Sequence, residues 1–592
     1  MAGINGTVTF GFQPTGYSGD NVTQAFPNQE SRTNTLKSAN DQLRYQVQWF
    51  DGTSINEGVE PSAANFNSTA LTGDVVNIVF RVYSNVRSGT SFPNDWELLG
   101  TIKQSRDIAN KRFDGGVLAL GHRFTIDVSG LISDQLSYSL CPINKGTWES
   151  SEYGGMNGGA TMQDNVLSGT NAVGEPVSQY NVSDNGTYRY LKVKANYEII
   201  NADGEIQTAT GAITSNEITV INSVNQFSED KTPYFKTFNI GNSESNKYSL
   251  LTRSPNNTNS FKQIREDEQA EFLQFYVNRA DSTNISTEDE VAAMALKIET
   301  VENNSVVDTF YLRDFEDNLL TSTSSGNLTY LSNIQKKMCI QNISPFYINN
   351  SGNLYEPDDT RVAAPSSNFP YWSTYAGNKI LSTTETYRVS LVKISLFGGG
   401  VERRVSDYYL YDIDRESDNL AYGYVRFHWL NSMGGIDSYT AKRDVVEGIT
   451  ISRGVIERNS ADRTWYQNDE SYAGASLNYY SDTMRGGNLY KGGREVSNIN
   501  ADKSLSVYTE PLNKPNAEWL QGMLLSPNVW IEKDTEATQE GNALNPYLRP
   551  STKGYIPVII TNSDAETVNQ SNGLVRFNIE YTLAHKVQTQ RN

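Results

Sequence analysis

Apolar and polar residues alternate along much of this 592-residue chain, and this alternation limits its fold more than any other feature. Successive side chains of a β-strand point to opposite faces, so a period of two predicts strands that are covered on one face. Two segments show it most clearly, with the apolar residues Val76, Ile78, Phe80 and Val82 in the first and Leu191, Val193, Ala195, Tyr197 and Ile199 in the second. The second segment runs into Asn201-Ala202-Asp203-Gly204, a turn sequence that predicts a β-hairpin.

The chain is too long for one hydrophobic core, so we expect several domains. The fold class predicted is mainly β, with multi-domain β-sandwich modules of the immunoglobulin/fibronectin-like or jelly-roll-like kind and a few short helices. Three regions are expected: an N-terminal β-sandwich with long loops (1–227), a middle β-rich domain (228–380) and a C-terminal β domain (381–592). The stretch 344–378 is rich in Pro, Asn, Ser and Tyr with little periodicity and is read as a long loop near a boundary.

One helix stands out in the C-terminal region, at 517–525. Pro515-Asn516 precede it, Ser526-Pro527 end it, and its apolar stripe consists of Trp519, Leu520, Met523 and Leu524. Strands are expected to follow at 555–560 and 574–583. Because proline cannot donate a backbone hydrogen bond, Pro557 predicts a sheet edge or a strand start.

Charge and cysteine content exclude several classes of protein. The net charge is −19, from 68 acidic and 49 basic residues, whereas specific nucleic-acid binding needs a basic surface. An acidic surface keeps a chain soluble before assembly, or lines a channel through which a genome passes without being gripped, and the sequence leaves both open. Cys141 and Cys339 are the only cysteines, too few for a disulfide scaffold. No signal peptide or membrane-length apolar run is visible, so we expect folding in the cytoplasm and no membrane partner.

The residues that carry chemistry form no recognisable local motif. His122, His428 and His585 are far apart in the chain, and no HExxH, CxxC, GxSxG or GxxxxGK[ST] pattern occurs. A catalytic pair assembled in space is not excluded by spacing alone. Each histidine is more simply a surface or packed residue, so we expect no enzyme activity and no cofactor.

A run of carboxylates at alternate positions superficially resembles the start of a calcium loop. It consists of Asp412, Asp414, Glu416 and Asp418. The sixth position of such a loop requires glycine for a sharp turn, and Ser417 stands there instead. We therefore expect no metal site, and we read the charge run Glu266-Asp267-Glu268 as a solvated loop.

The most distinctive stretch begins as a strand of aromatic residues and continues through a glycine turn. It reads Tyr424-Val425-Arg426-Phe427-His428-Trp429-Leu430-Asn431-Ser432-Met433-Gly434-Gly435-Ile436-Asp437-Ser438-Tyr439. We predict positive φ at Gly434 and Gly435, a new strand near Tyr439, and a bond from Asp437 back to the turn backbone. The structural turn motif consists of Trp429, Leu430, Asn431, Gly434, Gly435 and Asp437.

This stretch resembles a segment of predicted tail and virion proteins of tailed bacteriophages that infect Bacteroidetes hosts, including crAss-like phages. A second piece is similar to the C-terminal module of the same proteins, with a helix ending at Ser526-Pro527, a strand, and the strand Tyr555-Ile556-Pro557-Val558. Together the two pieces cover about residues 385–585, and the first 380 residues carry no motif of this kind.

The resemblance implies a structural protein of the virion tail, in a ring, hub or muzzle-like tip, made in the bacterial host cytoplasm. Its partners would be copies of itself in a homo-oligomeric ring, other tail proteins and tail fibres. The 34 tyrosines suit surfaces half buried between chains, although strand preference alone explains many of them. One alternative is a host-surface-binding adaptor or receptor-binding protein whose aromatic pairs, such as Tyr371-Trp372, stack on sugars. A more remote alternative is a tail-borne glycan hydrolase.

Overall fold

The computed structural model describes most of the strands and helices of the chain in separate stretches. The described residues are 7–12, 36–40, 43–50, 75–85, 92–94, 96–107, 121–136, 188–200, 203–208, 212–224, 248–255, 263–265, 269–278, 291–303, 305–313, 336–350, 354–358, 371–377, 379–395, 402–404, 406–415, 424–441, 443–458, 493–534, 553–562 and 573–584. Within them, strands form five sheets and helices are few and short. The prediction of a mainly β protein with sandwich modules is confirmed.

The N-terminal region is a β-sandwich of two sheets. The smaller sheet has the order β1-β3-β6, formed by Thr7–Phe12, Arg44–Phe50 and Gly121–Asp127. The larger has the order β2-β10-β7-β4-β5, formed by Leu36–Ser38, Ile218–Ile221, Tyr188–Ile200, Val75–Asn85 and Glu97–Asp107, with β8 (Ile206–Thr208) and β9 (Ile213–Thr214) also paired to β7. A short helix α1 (Ser129–Ser133) follows β6.

The core between these sheets contains the residues that the alternation predicts. Val76, Ile78 and Phe80 are fully buried. They share one apolar cluster with Tyr45 and Phe124 of the opposite sheet. The expected pairing also forms, because β8 is antiparallel to the end of β7.

The middle region also has two sheets around one core. The smaller has the order β11-β13-β16, formed by Tyr248–Leu250, Phe272–Asn278 and Lys336–Asn342. The larger has the order β12-β21-β19-β14-β15-β17-β18, formed by Gln263–Arg265, Tyr409–Asp414, Thr386–Ser395, Val291–Glu302, Ser305–Arg313, Tyr355–Asp358 and Tyr371–Thr374, with β20 (Glu402–Arg404) also paired to β19. Leu250 and Leu273 of the first sheet pack against Leu296, Phe310 and Tyr387 of the second.

Two features of this region differ from the sequence-based expectations. The stretch 344–378 is not one long loop, since it contains helix α2 (Pro345–Asn350) and strands β17 and β18. The expected boundary at 381 lies within the sequence of the larger sheet, because β19 is hydrogen-bonded to β14 along ten register pairs. The pairing therefore places 386–414 with the middle region, while the division into three domains stays a prediction.

The C-terminal region is one seven-stranded sheet covered by a helix. The order is β23-β22-β26-β27-β28-β25-β24, formed by Ile436–Ala441, Val425–Leu430, Val529–Asp534, Lys553–Ile560, Asn578–Leu583, Gly493–Tyr508 and Arg443–Arg458. Helix α3 (Lys514–Leu524) begins three residues earlier than expected, because the side chain of Asn513 caps it by accepting from the backbone N–H of Asn516 at 3.1 Å. Its Trp519, Leu520 and Met523 enter the core of the sheet.

Pro557 lies inside the sheet rather than at an edge or a strand start. It stands in the middle of β27, which pairs with β26 on one side and β28 on the other. Its carbonyl oxygen faces the β28 side, where it accepts from Ala584 N at 3.0 Å. Because proline has no N–H, it cannot donate a bond to Ala584 in return.

Candidate functional site

The turn between β22 and β23 contacts all three regions of the chain. We call residues 431–435 the junction turn. Asn431 closes it: its Oδ1 accepts from the N–H groups of Met433 at 2.9 Å and Gly435 at 3.1 Å. The same side chain donates from Nδ2 to the carbonyl of Leu251 at 3.1 Å. One residue therefore shapes the turn and ties it to the middle region.

The two glycines of the junction turn have different roles, which corrects the expectation of positive φ at both. Only Gly434 has a positive φ, of 85°, the left-handed conformation that glycine adopts without a steric penalty. Gly435 is required for space: a Cβ there would lie 1.9 Å from the carbonyl oxygen of Leu251 and 2.5 Å from Oε1 of Gln274. The middle region is packed directly against the turn backbone.

The N-terminal sandwich approaches the junction turn from another side. Val224 donates its backbone N–H to the carbonyl of Ser432 at 2.9 Å. A Cβ on Gly434 would lie 3.0 Å from the carbonyl oxygen of Asn222 and 3.2 Å from a methyl group of Ile221. The turn thus contacts the last residue of β10 and the residues that directly follow it.

Asp437 does not bond back to the turn, as the sequence suggested, but reaches outward to the middle region and to helix α3. It lies in β23, which begins at Ile436 rather than near Tyr439. Its carboxylate accepts from the Thr252 hydroxyl at 2.5 Å and from the Trp519 indole N–H at 2.9 Å. The turn-closing role expected of Asp437 belongs to Asn431.

Trp429 and Leu430, the remaining motif residues, are buried in the C-terminal sheet. The ring of Trp429 lies 5.1 Å from that of Trp519, centroid to centroid. Leu430 donates its N–H to the carbonyl of Asn528 at 3.0 Å. The six motif residues are therefore brought together as a structural joint.

A buried polar cluster lies beside this joint, and no local pattern in the sequence indicates it. His428 is fully buried, with Nδ1 2.8 Å from the Ser438 hydroxyl and Nε2 2.9 Å from a carboxylate oxygen of Glu532. Burial lowers the pKa of His428 below its ordinary value, although the neighbouring Glu532 opposes this shift. A neutral ring donates from Nε2 to Glu532 and accepts at Nδ1 from Ser438. The order Ser–His–Glu resembles that of a hydrolase triad, but both Ser438 and His428 are buried between strands, so the contacts cross-link β22, β23 and β26.

Arg426 joins the same sheet to the middle region through a buried ion pair. Its guanidinium contacts the carboxylate of Glu271 and donates to the carbonyl of Ala270 at 2.7 Å and to the Thr440 hydroxyl at 2.9 Å. Glu532 accepts from the N–H of Ala270 at 3.1 Å. A charge held in such a low-dielectric site requires its partner, so the two regions are fixed to each other here.

The hairpin of β24 and β25 continues beyond the sheet core with apolar side chains exposed. β25 pairs with β28 only through residues 504–508, and beyond that point it pairs with β24 alone among the described residues. We call this part the arm, residues 449–458 of β24 and 493–503 of β25, which pair with each other. Its exposed aliphatic side chains are Ile449 (58%), Ile451 (42%), Val455 (55%) and Ile456 (44%), and Val446 (57%) is exposed at its base.

The arm is the surface that sequence reasoning missed. An alternating run was present in Glu447-Gly448-Ile449-Thr450-Ile451-Ser452-Arg453, but periodicity alone cannot tell a strand that faces the core from one that faces solvent. A two-stranded ribbon is marginally stable in water, and exposed aliphatic side chains in series mark a contact surface. The arm is therefore the candidate assembly site.

The remaining candidate residues form no site among the described residues. Asp412 and Asp414 lie in β21, which pairs with β12 and β19, whereas Glu416 and Asp418 lie outside the described residues, as do Cys141, His585 and Glu266-Asp267-Glu268. The described stretches contain no group of three or more metal-ligating side chains. Tyr371 and Trp372 belong to β18.

No protein-family model matches the sequence, and no curated protein matches it. None of the helices in the described stretches has the length and apolar character needed to span a membrane.

Proposed function

We propose that this protein is a structural component of a bacteriophage virion, located in the tail as part of a ring, hub or muzzle-like tip. It acts by assembling with copies of itself and with other tail proteins, without catalysing a reaction. The observation that carries this proposal is the arm, a two-stranded ribbon whose aliphatic side chains stay in solvent unless another chain covers them. The location is proposed from the resemblance of the two sequence pieces within 385–585 to phage tail proteins.

The junction supports a role based on shape. Hydrogen bonds from the turn, Asp437 and Arg426 hold the C-terminal sheet to the middle region, and Ser432 and Gly434 contact the N-terminal sandwich. Polar contacts that are buried and satisfied fix geometry strongly, because breaking one leaves an unpaired group in the interior. A chain held in this way keeps its contact surfaces at fixed positions relative to one another.

A host-binding adaptor is the second candidate. The arm favours self-assembly over glycan binding, since its exposed side chains are aliphatic rather than the aromatic platforms that stack on sugars. A tail-borne hydrolase is disfavoured by the burial of the Ser438–His428–Glu532 set, which gives a substrate no access to the serine hydroxyl.

Two measurements on the full chain test the proposal. Mass photometry across a concentration series is expected to show defined oligomers, and mass spectrometry of purified particles of the phage that carries the gene is expected to find the chain in the tail. A chain that is absent from the particles would contradict the proposal. Cleavage of host envelope polysaccharide by the purified protein would establish the hydrolase instead, and binding of the monomer to intact host cells would establish the adaptor.

A further inference from the structure

The outer edge of β24 is the feature of the arm that points to a particular partner. β24 is the last strand of its sheet, with β25 on one side and no hydrogen-bonded neighbour on the other among the described residues. Edge strands are usually protected by proline, lysine or a bulge. The segment 446–454 has no proline or lysine, and its register shifts lie at its two ends, between Arg443 and Val446 and between Gly454 and Val455.

We propose that this edge pairs with the same edge of a second copy, antiparallel across a two-fold axis at Thr450. The inference rests on the proposed self-assembly and names the surface that performs it. It follows from the order of residues around Thr450. When the segment is aligned antiparallel with a second copy of itself, the residues that face each other are complementary. A two-fold contact places residue i opposite residue j and residue j opposite residue i.

Each pair that this register creates is chemically matched. Glu447 lies opposite Arg453, and Ile449 lies opposite Ile451, each twice by symmetry. All four residues share one face of the strand, so four isoleucines form a patch with an ion pair at either end. On the other face Val446 lies opposite Gly454 and Gly448 lies opposite Ser452, so most side chains on that face are small.

Neighbouring registers lose this match. Moving the axis to Ile451 places Ile449 opposite Arg453 and Glu447 opposite Val455, while moving it to Ile449 places Glu447 opposite Ile451. Opposite charges across two strands are favourable and unmatched ones are not. The register centred on Thr450 is therefore specified by charge as well as by apolar contact.

Charge also favours a second copy over an unrelated basic partner. The chain carries a net charge of −19, but 446–454 contains one glutamate and one arginine and is neutral. The paired segments therefore carry no net charge, and their contact adds no electrostatic repulsion between the two copies. Glu447 already pairs with Lys503 of its own hairpin at 2.7 Å, so the arginine of the second copy extends an existing row of charges.

The contact is small, since nine residues of paired edge bury much less than the roughly 1,600 Å² of a standard interface. We expect a pair of copies that exchanges readily in dilute solution and is strengthened where many copies are held together. A two-fold contact joins copies in twos, so a ring requires a second and different contact.

Disulfide trapping tests the register directly in the full chain, with Cys141 and Cys339 replaced by serine. Thr450→Cys is expected to form a covalent dimer, because directly opposite residues have Cα atoms about 4.5–5.5 Å apart, within disulfide reach. Ser452→Cys is the matched control: it shares the same face, but its symmetry mate lies four residues, or roughly 13 Å, away along the strand. Dimers from the control as abundant as those from Thr450→Cys would overturn the register.

Charge exchange tests the pairing without cysteine. Glu447→Arg and Arg453→Glu each place like charges opposite one another at both ends of the patch, and each alone is expected to weaken the dimer roughly tenfold. Mixing the two variants restores opposite charges at both ends, so a heterodimer is expected where neither variant self-associates. Glu518→Arg, on the exposed face of α3, is the control and should leave association unchanged.

The outcomes separate this inference from the proposed function. Oligomers that persist with no Thr450→Cys cross-link and no recovery on mixing refute the edge pairing but leave a structural role in the virion intact. Absence of the chain from phage particles refutes the structural role, whatever the cross-linking shows.

Discussion

The indole N–H of Trp519 donates a hydrogen bond of 2.9 Å to a carboxylate oxygen of Asp437, and this bond ties helix α3 to the strand that follows the junction turn. The other oxygen of the carboxylate accepts from Thr252 of the middle region. A single buried side chain therefore connects the covering helix, the C-terminal sheet and the middle region. Replacements near this residue should affect the whole molecule rather than one loop.

Asp437→Ala is expected to lower the free energy of unfolding by about 3 kcal/mol, because it removes the buried, charge-assisted hydrogen bonds that the carboxylate accepts from Thr252 and Trp519. Chemical denaturation followed by tryptophan fluorescence measures the change. Asp134→Asn, at an exposed position that follows α1, is the control and should change stability by less than about 0.5 kcal/mol. Equal effects of the two variants would contradict the role given to Asp437.

Gly435→Ala and Gly573→Ala separate the need for space from the need for positive φ. Gly573 has a φ of 71° with nothing within 4 Å of an added Cβ, so alanine there should cost about 1–2 kcal/mol of backbone strain. At Gly435 the added Cβ would overlap the backbone of Leu251, and we expect a larger loss. Thermal unfolding of both variants gives the comparison, and a Gly435→Ala protein as stable as Gly573→Ala would show that the two regions do not pack as closely as described.

The ion pair of Arg426 and Glu271 is nearly completely buried. Arg426→Met should cost about 3–5 kcal/mol, because it removes the positive charge that faces the buried carboxylate of Glu271. Lys103→Met breaks a pair in which the lysine side chain is 43% exposed, and it should cost at most about 1 kcal/mol. Urea denaturation midpoints of the two variants distinguish these values. A small effect of Arg426→Met would mean that water reaches Glu271.

His428 makes stability depend on pH in a defined direction. Its pKa is lowered by burial in the folded chain, so the unfolded chain binds the proton first as the pH falls. Its contribution is complete above the unfolded pKa of about 6.5 and is lost as the pH falls below that value, by at most about 1.4 kcal/mol per pH unit. Melting temperatures between pH 7.5 and 5.5 should therefore fall less steeply in His428→Gln than in the unchanged chain. Parallel curves for the two proteins would assign the pH dependence to other groups.

Local patterns in the sequence predicted which segments form strands and helices more reliably than they predicted which segments pack against one another. Alternation at Val76, Ile78, Phe80 and Val82 identified a strand and its buried face, because side-chain direction in a strand depends only on position along it. The stripe of Trp519, Leu520 and Met523 identified the helix for the same reason. The start of that helix was misplaced because its capping residue, Asn513, lies outside the apolar pattern.

The sequence by itself determined that the chain is built from strands, which faces are apolar, and that a tight turn follows Leu430. Only the tertiary structure decided that Asp437 bonds to Thr252, 185 residues earlier, that Gly435 lies against Leu251, and that 386–414 completes the middle sheet. It also decided that Ile449 and Ile451 face solvent, although their alternation looks the same as that of a core strand. The reason is physical: periodicity is fixed by bonds between adjacent residues, whereas burial and partnership depend on which distant segments pack together.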